Sequence, residues 1–173
     1  MKKILQKLKG GDLRSIGRAD EVVEDVLEDQ QLFEDVFEGI LADDPVVAMR
    51  ASDVVEKVSS KHPEYLQPYK DRLIREISKV ERKEVRWHVA QMFSYLEVSK
   101  DERNEIIKIL NSYIDSSDSA IVKTFSMQTL ADFAKKDERI RSRILSKIEK
   151  LVETGSPAIV SRGKKLIDKL KEK

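Results

Sequence analysis

Apolar residues recur along this chain at helical spacing, and the pattern itself repeats. Val47, Ala51, Val55 and Val58 follow one another at intervals of four, four and three residues. The same intervals join Val85, Val89, Phe93 and Leu96, then Val122, Ser126, Leu130 and Phe133, and more loosely Ile159, Gly163, Ile167 and Leu170. The first positions of the four sets are 38, 37 and 37 residues apart. Each set covers one face of a helix. A fixed period in this range marks stacked helical repeats, in which no unit can bury its apolar face alone.

Capping chemistry sets the boundaries. Asp44-Pro45 places an N-cap before a helix-starting proline and opens a helix over 44–60, which His62-Pro63 closes. Tyr65, Leu66, Tyr69, Leu73, Ile74 and Ile77 predict a helix over 64–79, with Pro68 inside its first turns, where it is either tolerated or produces a kink. Further helices are expected at 83–97, 101–115, 119–135 (after a Ser116-Ser117-Asp118 turn and cap), 137–153 (opened by Asp137) and 157–171, where Gly155-Ser156-Pro157 separates the last two. Each repeat thus reads as helix A, a turn and helix B, giving repeats of about 30–60, 64–97, 101–135 and 137–171. Upstream, residues 19–26 echo residues 51–58 at a spacing of 32, which marks a shortened N-terminal cap within residues 1–29. The whole chain, 1–173, reads as a single repeat domain.

The residues at these positions resemble a known family. Val85-Arg86, Val89-Ala90, Phe93 and Leu96 look like the second helix of a HEAT repeat, whose pattern is roughly Val-Arg-x2-Ala-Ala-x-Ala-Leu-x2-Leu. Asp44-Pro45-Val46-Val47 and Ala51 resemble the same segment, and Lys123 takes the arginine position in the third copy. The fourth departs, with Val160 for the basic residue and Gly163 for the alanine. The resemblance covers about residues 30–171. It implies an all-α fold, a right-handed α-α superhelix (solenoid) of about four HEAT-like helix pairs with an N-terminal capping helix, the B helices lining its concave face. Such architecture serves unrelated tasks, so it bears on function only as a class, a surface that holds a partner.

Composition narrows the class further. Charged residues make up 38% of the chain against six Gly and four Pro, which favours long helices. No apolar run approaches the roughly 20 residues of a membrane span, and the N-terminus lacks the core of a signal peptide, so a cytoplasmic protein without membrane association is expected. The absence of cysteine excludes disulfides and sulfur-based zinc sites. The two histidines, His62 and His88, stand in no metal-ligand spacing, and the paired His-Glu dipeptides of HEAT-fold metal hydroxylases are missing. No phosphate-cradling glycine loop and no nucleophile elbow occur. No cofactor, no metal and no enzymatic activity are expected.

What remains is the surface. With the first core position of each B helix at 0° and about 100° per residue, positions two, six and nine later point away from the core. These are Met49, Asp53 and Glu56; Trp87, Gln91 and Ser94; Thr124, Gln128 and Ala131; Ser161, Lys165 and Asp168. The adjacent ridge adds Arg50, His88, Phe125 and Arg162. A partner-binding site of Met49, Arg50, Trp87, His88, Gln91, Thr124 and Phe125 on the concave face is the expectation, because exposed Trp with Met and Arg is hot-spot composition. The competing reading has Trp87 and Phe125 filling contacts between repeats.

Charge supplies two alternatives. Residues 1–60 carry 8 Lys/Arg against 14 Asp/Glu, and residues 135–173 carry 13 against 6. The basic end, with Arg139, Arg141, Arg143, Arg162, Lys164, Lys165, Lys169, Lys171 and Lys173, could engage nucleic-acid phosphates, as in HEAT-like DNA alkylation-repair glycosylases, with Asp53 and Asp132 as acids. For that alternative the patch is Arg162, Lys164, Lys165 and Lys169. The expected state is a monomer or a weak head-to-tail association, in which the opposite charges of the two ends would meet. The partner expected first is a protein or peptide.

Overall fold

A computed structural model describes residues 2–172, and Lys173 of the basic stretch lies outside them. The described residues are helices and turns without strands. The chain divides into two compact units, Met1–Glu97 and Val98–Lys173.

The first unit begins with a short helix α1, Lys3–Gln6, followed by α2, Ala19–Glu28, and α3, Leu32–Gly39. Helix α4, Pro45–Lys61, starts as the sequence dictates: Asp44 Oδ1 accepts from the backbone N–H of Val46 (2.9 Å) and Val47 (3.3 Å), with Pro45 at the first helical position. The helix expected over 64–79 is broken into α5, Pro63–Leu66, a 3-10 turn Gln67–Tyr69, α6, Lys70–Arg75, and a second 3-10 turn Ile77–Lys79. Pro68, lacking an N–H and fixed in φ, sits in the first of these turns, so the break is local chemistry that a periodicity count overlooks. Helix α7, Lys83–Met92, also ends early, passing into a 3-10 turn Phe93–Tyr95, where the Ser94 hydroxyl donates to the Gln91 carbonyl at 2.7 Å.

Four long helices make the second unit: α8, Lys100–Ser116; α9, Ala120–Lys136; α10, Glu138–Thr154; and α11, Pro157–Lys171. Ser99 and Glu102 close a reciprocal capping box on α8, and the Asp137 carboxylate accepts from the Arg139 N–H (3.0 Å) to start α10. The N-cap of α9 is Ser119, one residue beyond the turn expected to cap it.

The repeating positions form the cores. Val47, Ala51, Val55, Val58, Val85, Val89 and Phe93 in the first unit are completely buried, as are Val122, Ser126 and Leu130 in the second. A fully buried Val, Leu or Phe contributes about 1.5–3 kcal/mol through the hydrophobic effect, so these columns hold each unit together. The fourth copy is looser, since Ile167 is only half-buried. Its Gly163 is required by packing: a Cβ there would lie 2.4 Å from Val152 Cγ2 of α10. Helical hairpins α3–α4, α8–α9 and α10–α11 pack face to face, so the fold is all-α and of the solenoid class.

Candidate functional site

Helix α4 lies between α2 and α7 and also packs on α3 and α5. That flanking changes what its outward positions can present. Met49 is 5% exposed and Arg50 only 2%, so neither stands on an open face, contrary to the helical-wheel expectation. A wheel counts one core direction, whereas a helix with neighbours on several sides buries most of its circumference.

Arg50 is instead a clamp. Its Nε donates to the Ser15 carbonyl at 3.0 Å, and Nη1 donates to the carbonyls of Leu8 at 2.8 Å and Gly10 at 2.7 Å. Longer contacts of 3.4 Å reach the carbonyls of Lys9 and Asp12. Residues 8–15 therefore wrap a guanidinium, and among the described residues no carboxylate pairs with it. The wrap demands glycine: Gly17, at φ +54°, would set a Cβ 2.6 Å from Arg50 Nη1. Gly10 and Gly11, at φ +81° and +77°, make the turn.

On α7, Trp87 is half-buried and His88 is buried at 6% exposure. The hydrogen bonds fix the imidazole tautomer. His88 Nδ1 lies 2.7 Å from the Glu84 carbonyl, which only accepts, so Nδ1 carries the proton. Nε2 is then the acceptor for the Trp87 indole N–H at 3.0 Å. His88 is thus a positioning residue that pins the indole, and it is not itself open to a partner. The Gln91 amide donates to the Trp87 carbonyl (3.3 Å), and Tyr95 Oη donates to Glu56 of α4. Trp87, Gln91 and Tyr95 form a half-exposed ridge.

Charge runs beside this ridge. Asp53 lies 3.5 Å from His88 Nε2 and 2.9 Å from Lys57 Nζ, and Lys57 also reaches Asp20 of α2 at 2.7 Å. The Lys57–Asp53 approach is an ion pair outside hydrogen-bond geometry, so Asp53 Oδ2 has no hydrogen bond. Burial raises the Asp53 carboxyl, the Lys57 ammonium opposes it, and the group lies below its ordinary value. Burial likewise opposes charge on Lys57, and its contacts to Asp20 and Asp53 raise it nonetheless.

The second unit carries its own residues. Thr124 and Phe125 are half-buried on α9, and the Thr124 hydroxyl is used on the Ala120 carbonyl at 2.6 Å. Of the basic patch, Lys164, Lys165 and Lys169 are exposed, whereas Arg162 donates to Gln128 at 2.8 Å, which in turn donates to Asp132 at 3.1 Å. Arg162 is therefore committed to an internal chain of polar bonds. Among the described residues no group of three or more His, Asp or Glu is placed to hold a metal ion, and no helix is long and apolar enough to cross a membrane.

Sequence reasoning found the Trp87 ridge but missed Tyr95 and Glu56 as its continuation. Glu56 had been placed on the outward face, and Tyr95 sits eight residues after Trp87, so helical spacing could have joined them. Neither a comparison with curated proteins nor one with solved structures returned a match. The family profile described as HEAT repeat domain matches residues 11–170. That span reaches into both units, and the chain belongs to the HEAT repeat family.

Proposed function

We propose that this HEAT repeat protein is a non-catalytic scaffold that holds a protein or peptide on its B-helix face, centred on Trp87. The observation that carries this is the state of Trp87, half-exposed yet held by a hydrogen bond from its indole to a buried imidazole. A large aromatic fixed before binding loses little entropy on contact, which is what an anchor residue needs. Gln91 completes the site, with His88 holding the indole. Thr124 and Phe125 occupy the equivalent register positions on α9 of the second unit.

The test follows the sole tryptophan. Acrylamide quenching of Trp87 fluorescence is measured with and without a protein captured by a photo-crosslinker at position 91, and the affinity is compared for the Trp87→Ala and Gln91→Ala variants. Protection of Trp87 and an affinity loss of about tenfold or more in Trp87→Ala, with helical circular dichroism retained, is expected for an anchor residue. Unchanged affinity in both variants refutes the site. Tight binding of a short DNA duplex, lost when Lys164, Lys165 and Lys169 are changed to Gln and steeply salt-dependent, would move the function to α11.

A further inference from the structure

We infer that the partner's contacting segment is cationic, and that an arginine is its preferred side chain against Trp87. The inference rests on the scaffold reading above and names the chemistry of what that scaffold holds.

The argument is the charge carried by the outer face of the first unit. Asp20, Glu24 and Glu28 follow one another at i, i+4 and i+8 on α2, so they share one face, and all three are exposed. Asp20 marks which face this is, because its carboxylate reaches Lys57 of α4. Next along come Asp53 and Glu56 of α4, then the Trp87–Gln91–Tyr95 ridge on α7. Two lysines of α4 share the face of Asp53, at i+4 and i+8: Lys57, which is shared between Asp20 and Asp53, and the exposed Lys61. Glu24, Glu28 and Glu56 have no ion-pair partner among the described residues; Glu56 accepts only from the Tyr95 hydroxyl. Five carboxylates thus face two lysines. Part-buried charges such as Asp53 and Glu56 are screened by salt less than exposed ones, so the surplus persists at physiological ionic strength.

The shape of the row selects the cation. An arginine guanidinium is planar, stacks on an indole face and can fork onto a carboxylate, whereas a lysine ammonium is a strongly hydrated point charge. Trp87 offers the ring, the Asp53 carboxylate lies 3.5 Å from the imidazole that holds the indole, and Glu56 stands further along the ridge at Tyr95. The acidic stripe of α2 continues the attraction for further basic residues of the same segment. An acidic segment would meet repulsion along the whole row.

The probes are octa-arginine, octalysine and octaglutamate, titrated against the full chain while Trp87 emission and acrylamide quenching are followed. Octa-arginine is expected to quench or shift Trp87 emission with an affinity several-fold better than octalysine, weakening as salt rises from about 0.05 to about 0.2 M. Octaglutamate leaves the signal unchanged. Glu24→Gln and Glu56→Gln each weaken octa-arginine binding by about threefold, as expected of individual surface charges, while Glu105→Gln on α8 has no effect. Equal responses to octaglutamate and octa-arginine, or no loss in either glutamine variant, overturn the inference. If a captured protein protects Trp87 but octa-arginine neither binds nor competes, the scaffold reading stands and the cationic preference falls. If nothing protects Trp87, both fall.

Discussion

Replacing Arg50 with methionine tests the clamp that closes the first unit. The arginine makes three short bonds to backbone carbonyls, of 2.7, 2.8 and 3.0 Å, and two longer ones of 3.4 Å. A hydrogen bond to a charged group contributes roughly 1.5–3 kcal/mol net. The carbonyls of Gly10 and Ser15 belong to exposed residues and regain water when the arginine is lost, so the lower end of that range applies to them. The Leu8 carbonyl belongs to a fully buried residue and has no such recourse. Methionine keeps much of the buried volume, and buried charges replaced by apolar groups cost less than their bonds suggest. The net expectation is a loss of about 3 kcal/mol. Urea unfolding measures it, and amide exchange in α1 and α2 locates it, with opening there increased by about a hundredfold. Trypsin should then cleave after Arg14 or Arg18 faster than in the unaltered chain. A loss under about 1 kcal/mol with unchanged exchange would show that the wrap does not depend on the guanidinium.

Three further outcomes follow from the packing. Ser126 Oγ is completely buried and has no hydrogen-bond partner, so Ser126→Ala should stabilise the chain by about 1 kcal/mol by removing an unsatisfied group; a lower melting temperature would contradict this. Gly163→Ala gains about 1 kcal/mol of helix propensity but drives a methyl into Val152, and overpacking costs about 1–3 kcal/mol. Calorimetry should therefore show a net destabilisation, and a stabilised variant would mean that the α10–α11 contact yields freely. Arg139, through its side chain and backbone N–H, with Arg103 adding its charge, holds the Asp137 carboxyl well below the usual carboxylate range. A depressed carboxyl contributes stability that is complete above its ordinary value of about 4 and is lost as pH falls through the folded value. Asp137→Asn should flatten the fall in stability below that pH, and parallel acid limbs in the two proteins would refute it.

Much of the fold is legible in residues that act locally. Asp44-Pro45 and Asp137 set helix starts by bonding backbone N–H groups within three residues, so their effect does not wait on tertiary contacts. Pro68 was visible too, and its break in the 64–79 segment follows from the missing N–H alone. The Ser99–Glu102 capping box was equally present in the sequence and went unread. The candidate site was legible only in part. Trp87 and Gln91 stand half-exposed as helical spacing implied, while Met49, Arg50 and His88 turn inward. Arg50 is covered by residues 8–15 wrapping over α4, and His88 faces Asp53 of α4, contacts that join residues 35 or more positions apart.

The sequence by itself determined that this chain is a HEAT-type stack of helix pairs, because a 37- to 38-residue period of apolar columns leaves each helix no other way to bury its face. Tertiary structure alone decided what Arg50 does. Arg50 became a clamp because a guanidinium has five N–H donors and the folded chain brings a ring of carbonyls to it. The His88 support for Trp87 is local to α7, where the Glu84 carbonyl claims one imidazole nitrogen and leaves the other to accept; its tertiary neighbour is Asp53 of α4. Periodicity reports which way a side chain points from its own helix. Which neighbour meets it there is a property of the assembled core.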